Sequence, residues 1–514
     1  MSFKIAIGYP PLKAKEGVPL LSQNRQFQYF NAPTYIYPMV PAYAASLAQK
    51  KGYEVVWMDG IAEKISYEEW LKILKKEKPD LLMIETKAPV IKRHWKIIKS
   101  LKKKFPKIKV ALVGDHATYK PEESMKVCPV DYILTGGDYD FLLCELADHL
   151  TKNKPMPKGV WYRTKNGYEN TGKAVLKHNI DELPFIDRDL TKWKLYAYEN
   201  GNYKFTPATY MYSGRDCWWN RCTFCVWNHT LNPQGSYRRF SPERLFAEVK
   251  HVVDNYNVKE IFDDAGTMFV GPPLKKFCEL MIESGYNKKV VYSCNMRLNA
   301  LNKEYYELMA EAGFRFILYG MESANQPTLN KLDKGLKIEE IEKGVKEAKE
   351  AGLEPHITIM LGYPWETEQM ALNTINHAKM LFKKGYVETM QATIVIPYPG
   401  TPLYKECVEK DWLQVKPNDY EAFDMRKPVM KVPFSNERLM ELVQELYTAF
   451  FSPQFIFRKI KSIRSFNDLK FFYVSAKKLL GHLLDFDKSQ NLKWYNPKFW
   501  VIAVKKLFKH FFSA

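Results

Sequence analysis

Short apolar runs alternate with longer stretches in which hydrophobic positions recur every three or four residues, along most of the 514-residue chain. Such alternation is the pattern of βα units and a parallel sheet. In the first third the runs at residues 4–8, 54–58, 81–85, 110–114 and 132–135 predict strands. Helices are expected between them at 41–49, 67–76 and 91–105. Ser66 with Glu69 three residues on has the form of a capping box, and Trp95, Ile98 and Leu101 share one helical stripe. Residues 1–150 therefore read as a doubly wound, flavodoxin-like α/β domain. A hairpin turning at Asn166-Gly167 and a Pro-containing extended stretch form a linker over 151–204.

The pattern then repeats strand and helix six times over 205–400. Strands are expected at 209–213, 260–263, 290–294, 316–319, 356–361 and 393–396, and helices at 241–255, 274–284, 303–312, 338–351 and 367–383. Six units instead of eight predict a partial, TIM-like (β/α)6 barrel, with its active site at the carboxyl ends of the strands. Residues 401–514 read as a helical, basic region.

Composition agrees with a large folded core: 46% of residues are hydrophobic, and 30 Phe, 32 Tyr and 12 Trp argue against disorder. The longest apolar runs fall short of the ~18 residues of a membrane span. The start shows no signal-peptide layout, so the expected location is cytosolic. The net charge of +19 is concentrated late, with thirteen Lys and Arg from Arg458 to Lys509 against Asp468, Asp485 and Asp487.

In doubly wound sheets ligands sit beyond the carboxyl ends of the strands. Thr86, Gly114, Asp115, His116 and Gly136 occupy those positions and suit a cofactor or nucleotide. No GxGxxG or GxxxxGK[ST] run is present, which disfavours dinucleotide and P-loop readings. Five of the eight cysteines are scattered through apolar sequence and read as small buried residues. The others cluster after the first barrel strand as Cys217-x4-Cys222-x2-Cys225. Grouped thiolates suit an iron–sulfur cluster or zinc. His229, four residues past Cys225, keeps a Cys3His zinc site open, and with it a zinc-containing RNA-binding protein.

The cysteine loop on the first unit of a six-unit barrel resembles the radical S-adenosylmethionine superfamily, whose usual spacing CxxxCxxC is one residue shorter in its first gap. LVGDHATYKPEE, VDYILTGGDYDFLLCEL and DELPFIDRDL resemble the cobalamin-binding domain and linker of its cobalamin-dependent members. YGMESANQPTLNKLDKG, MLGYPWETEQMALNTI and IVIPYPGTPLY resemble strand-end segments of their barrels. The resemblance implies that Cys217, Cys222 and Cys225 bind a [4Fe-4S] cluster whose open iron is chelated by S-adenosylmethionine. By position, Phe224, Asp263, Asp264, Arg297, Glu322 and Gly362 would border S-adenosylmethionine, and Thr86, Gly114, Asp115, His116 and Gly136 would border cobalamin. It further implies a 5′-deoxyadenosyl radical and an electron donor such as flavodoxin or ferredoxin. The expected reaction is methyl transfer to an unactivated carbon of a hydrophobic, lipid-like metabolite; cyclisation or rearrangement without methyl transfer is the alternative. The DxHxxG signature that supplies a cobalt-binding His elsewhere is missing: after the first strand the chain reads GYPPLKAKEG.

The last segment, NPKFWVIAVKKLFKHFF, puts Trp500, Val504, Leu507, Phe508 and Phe511 on one stripe with Lys505, Lys506 and Lys509 off it. A basic amphipathic helix of this kind suits peripheral contact with the inner face of a membrane. Docking onto the barrel is the competing arrangement, and a nucleic-acid surface is the least favoured.

Overall fold

A computed structural model describes residues 3–485, apart from residues 13, 15–16, 22–26 and 31–32. The stripe expected at 500–511 lies outside the described residues.

Five parallel strands, β1 (Lys4–Tyr9), β2 (Glu54–Asp59), β3 (Leu81–Thr86), β4 (Lys109–Gly114) and β5 (Tyr132–Leu134), stand in the order β2-β1-β3-β4-β5. This is the flavodoxin-like order, and it reverses direction between β1 and β3, where such sheets bind their ligands. The antiparallel hairpin β6 (Val160–Thr164) and β7 (Gly167–Asn170) continues the sheet past β5. One face packs α1 (Met39–Lys50), and its core runs unbroken into the barrel. The other face packs α2 (Tyr67–Glu77) and α3 (Ile91–Lys104) in a separate cluster with Trp70, Leu74, Trp95 and Ile98. The capping box closes as its sequence requires: Glu69 N donates to Ser66 Oγ at 3.1 Å and Ser66 N to Glu69 Oε2 at 2.7 Å.

The second sheet has β8 (Ala208–Met211), β9 (Glu260–Asp263), β10 (Val291–Met296), β11 (Phe314–Glu322), β12 (Glu354–Leu361) and β13 (Thr389–Ile394), all parallel and paired strictly in chain order. No ladder among the described residues joins β13 back to β8, so this is an open, partial barrel. Strand β13 begins four residues before the expected start. There Thr389 and Gln391 alternate with buried Met390 and Ala392, a half-buried pattern that hides a strand behind polar residues.

Past the barrel, α4 (Asn436–Tyr447) covers the β13 flank, where Tyr447 Oη receives Ala392 N at 3.1 Å. The segment before it turns back over the first domain. Tyr420 Oη donates to Glu123 Oε2 at 2.9 Å, and Met425 N donates to Phe27 O at 3.1 Å.

Candidate functional site

The cysteines lie on a loop pinched at its base by a two-residue ladder, Gly214–Arg215 against Arg238–Arg239. Backbone bonds stitch its far side to the rest of the barrel: Thr223 N to Leu332 O at 3.0 Å, and Leu403 N to Thr223 O at 3.1 Å. Within the first gap Asn220 takes a left-handed φ of 49°. Its Nδ2 donates to the carbonyls of Asn232 and Pro233, both at 2.9 Å, which fixes this part of the loop. The loop also rests on the turn after β9. Gly266 N donates to Asp216 Oδ1 at 2.6 Å, and a Cβ at this glycine would lie 2.9 Å from Cys217 Cβ.

Cys222 is buried, Cys217 and Cys225 half-buried, and none of the eight cysteines forms a disulfide. Burial pushes the Cys222 thiol up to about 11, opposed by the cations of Lys334 and Arg297. His229 Nε2 donates to the Cys222 carbonyl at 3.1 Å, so this nitrogen is turned to backbone. Among the described residues no three His, Cys, Asp or Glu converge on a single-ion position.

Around Cys222 the barrel assembles a charged wall. Arg297, just past β10, is 6% exposed and lies with its guanidinium 4.2 Å from the Trp219 ring centre. Its Nη2 donates to the carbonyls of Lys334 and Gly335, while its buried Nε has no hydrogen-bond partner. Lys334 is buried with Nζ 2.7 Å from Glu322 Oε1, and 6.0 Å from the centre of the Phe224 ring. Burial alone would lower Lys334, but Glu322 and Cys222 hold it above the ordinary lysine value. Glu322, at the end of β11, adopts a left-handed φ of 65°.

The other predicted residues of this group are held differently. Asp263 accepts Ser213 N at 3.0 Å, Ala265 N at 3.1 Å and the Tyr292 hydroxyl at 3.0 Å, and burial pushes it up to about 6. Asp264 Oδ1 receives Asn295 Nδ2 at 3.1 Å. Gly362, at φ 98°, lies beneath α4, where a Cβ would meet Leu439 at 2.9 Å. The structure thus gathers Cys222, Phe224, Arg297 and Glu322, and adds Lys334 and Trp219, which the sequence reading did not single out. Lys334 stands inside the quoted segment LNKLDKG; only the fold shows that it reaches Cys222.

On the facing sheet, Thr86 Oγ1 is 2.7 Å from His94 Nδ1. Gly114, at φ 115°, runs so close to Thr86 that a Cβ would lie 2.1 Å from its carbonyl oxygen. Asp115 Oδ2 lies 3.8 Å from Lys87 Nζ. His116 is buried between Trp95 and Tyr420, with Nε2 3.4 Å from Glu123 Oε2. Gly136 N donates to Thr118 Oγ1 at 3.0 Å. Glu85, which the sequence reading also passed over, is fully enclosed at the end of β3. It accepts the hydroxyls of Tyr9 and Tyr139, and burial pushes it up to about 7.

The two sets of strand ends are bolted together. Buried Asp138 accepts Arg238 at 2.6 and 2.8 Å and Arg215 at 3.2 Å, and Arg215 also pairs with Asp140. Linker His178 joins at 2.7 Å from Asp138, and that bond, with Glu145, pushes it up to about 9. A small cavity beside this bolt is lined by Val40, Gly137 and Tyr139 of the first domain and by Tyr212, Asp216 and Trp227 of the barrel.

Comparison with known proteins bears on this geometry. Residues 211–378 match the family model of the Radical SAM superfamily. An uncharacterized methyltransferase of Pyrococcus horikoshii is 27% identical over 422 residues, covering 80% of this chain and 87% of the relative. The solved radical S-adenosylmethionine methyltransferase TsrM of Kitasatospora setae, with cobalamin and a [4Fe-4S] cluster bound, superposes with a TM-score of 0.66 at 14% identity, covering 93% of this chain and 99% of that one. The cobalamin-dependent S-adenosylmethionine radical enzyme OxsB has the same TM-score at 15% identity, covering 99% of this chain and 75% of that one.

Proposed function

We propose, from the premise that the barrel of this chain is a radical SAM domain, that the protein is a cobalamin-dependent radical S-adenosylmethionine C-methyltransferase acting on an unactivated carbon of a hydrophobic metabolite. The observation that carries the reading is the assembly of Phe224, Arg297, Glu322 and Lys334 around Cys222, on a three-cysteine loop that faces the strand ends of a flavodoxin-like sheet.

The residues present fit the cofactors. Three thiols on one short loop suit three irons of a [4Fe-4S] cluster, and Arg297 and Lys334 supply positive charge beside the thiolates. Arg297 keeps a buried Nε without a hydrogen-bond partner, which suits a carboxylate such as that of S-adenosylmethionine. Phe224 offers an aromatic face for adenine, and Glu322 with Lys334 offers polar groups for ribose. Asp263 and Asp264 shape the turn after β9 that supports the cysteine loop, and Gly362 shapes the end of β12. Thr86, Gly114, Asp115 and Gly136 would hold cobalamin at the facing edge, and His116, packed between Trp95 and Tyr420, would support that edge. When bound, these groups supply one-electron cleavage of the sulfonium, hydrogen abstraction and a transferable methyl group.

The chain's own residues orient these groups and exclude water. Val40, Tyr139, Tyr212 and Trp227 line a small cavity between the sheets together with Arg215, Asp216 and Asn232. Such an enzyme needs an electron donor as well as its substrate, and a flavodoxin or ferredoxin meets that need. The test is anaerobic turnover with S-adenosylmethionine deuterated in its methyl group, using extracts of cells that lack this protein. Deoxyadenosine and a product carrying the label are expected. Deoxyadenosine with unlabelled product would replace methyl transfer by rearrangement or cyclisation, and a colourless protein loaded with zinc would overturn the reading altogether.

A further inference from the structure

The last described helices carry an apolar surface that no other described element covers. In α5 (Pro453–Ser462) no residue is buried. Its inner edge is anchored: Phe455 packs on Phe382 and Phe450, Arg458 donates to Phe382 O at 3.1 Å, and Lys459 pairs with Glu388. Helix α6 (Phe466–Asp485) is anchored in turn by Asp468, which pairs with Lys204 at 2.9 Å. The opposite edges face outward. Phe457 is 59% exposed, Ile460 61%, Phe466 80% and Tyr473 65%, with Ile456 and Leu469 beside them. The spacings 456, 457, 460 and 466, 469, 473 each form one helical stripe. Six of the twelve exposed large hydrophobic residues of the described chain fall within these eighteen positions, so they form a patch and not scatter.

The charge around the patch selects its occupant. Lys461, Arg464 and Lys470 are exposed at its rim, and the only acidic residue between 453 and 476, Asp468, is already paired. A second copy of the same basic patch would repel the rim. An anionic partner with an apolar interior satisfies both features. Among the described residues no helix is long and apolar enough to cross a membrane. We propose that α5 and α6 form a docking surface for an anionic lipid bilayer, with Phe457, Ile460, Phe466 and Tyr473 entering the acyl boundary and Lys461, Arg464 and Lys470 meeting headgroups. Basic amphipathic helices lie in the interface plane in this way. The surface stands on its own observations, whatever reaction the barrel performs.

The experiment is co-sedimentation of the full-length, anaerobically purified protein with phosphatidylglycerol–phosphatidylcholine vesicles and with phosphatidylcholine vesicles alone. Binding to the anionic vesicles is expected, with little to the neutral ones. Lys461→Gln with Lys470→Gln should weaken it about fivefold for each charge removed, the usual weight of a basic side chain at such a surface. Phe457→Ser with Ile460→Ser should weaken it at unchanged charge, and cleavage of S-adenosylmethionine measured on both variants shows that the barrel is intact. Failure to sediment with anionic vesicles would overturn the proposal, as would binding by both variants as tight as that of the natural protein. So would an apolar variant that converts a dimer to a monomer in light scattering, or an RNA that binds the patch while vesicles do not.

Discussion

Lys334 and Glu322 form a buried ion pair at 2.7 Å, with exposures of about a tenth on each side chain. Removing one member of such a pair leaves the other charge in a low-dielectric site, a loss of ~3–5 kcal/mol. Lys334→Met should therefore lower the melting temperature strongly, and adding Glu322→Gln should recover much of the loss in a double-mutant cycle. Additive losses would show that the two side chains do not depend on each other. Glu85 makes a prediction about pH. Its carboxyl holds its proton in the folded protein up to about 7, against 4.5 for the ordinary group. Folding therefore takes up a proton between those values, so the stability that Glu85 contributes is fully present below pH 4.5 and is lost as pH rises to about 7. The shift corresponds to about 3 kcal/mol in all. Asp59 and Asp263, each pushed up to about 6, slope the same way but finish sooner. Thermal unfolding of Glu85→Gln should accordingly lose less stability between pH 6 and 7 than the natural protein does. Neither Lys334 nor Glu85 was legible in the sequence as a functional group. A lysine in LNKLDKG and a glutamate ending a strand look like surface residues until the fold encloses them. The cysteines were legible because no ordinary packing need puts three thiols within nine positions.

At the scale of elements, periodicity marked the strands and helices well, because apolar runs and capping residues report burial and chain ends directly. It failed where polar residues occupy a half-buried strand, as at Thr389 and Gln391. It was also silent on which loops touch. The support of the cysteine loop by Gly266 is such a contact, made between segments fifty residues apart. Gly266→Ala would place a Cβ 2.7 Å from Asp216 Oδ2 and 2.9 Å from Cys217 Cβ. Overpacking of this kind costs ~1–3 kcal/mol, and here the part that yields is the loop that carries the thiols. The variant should keep the circular dichroism of the natural protein but hold less iron and sulfide after reconstitution. Full iron content would show that the loop position tolerates the shift. Cys222→Ala, by contrast, should abolish deoxyadenosine formation outright if the proposed function holds, because it would remove a ligand of the cluster and not a support.

The whole molecule is two sheets with their strand ends turned toward each other, and chemistry that draws on both edges depends on their spacing. Asp138 ties the two edges together: its carboxylate receives Arg215 and Arg238 from the two sides of the cysteine-loop ladder and lies against His178 of the linker. These cations hold Asp138 well below the usual carboxylate range, so it is ionised at any working pH. Asp138→Asn keeps the volume but replaces one accepting oxygen by a donor facing guanidinium donors. Breaking a buried charge network of this kind costs ~3–5 kcal/mol, yet each sheet retains its own ladders and the apolar core that runs between them. The expected result is loosening between the domains without loss of either. Trypsin should then cut faster within 173–204, where five lysines lie in the linker. The barrel alone contains the cysteine loop, so deoxyadenosine formation should persist. Methylated product, which under the proposed function needs both edges in register, should fall by up to roughly a hundredfold, the scale of an ångström-sized misplacement. The ratio of the two products is therefore the informative measurement. A parallel fall in both would mean that Asp138 supports only the cysteine loop, and an unchanged ratio with unchanged proteolysis would mean that the remaining contacts hold the sheets in place without it.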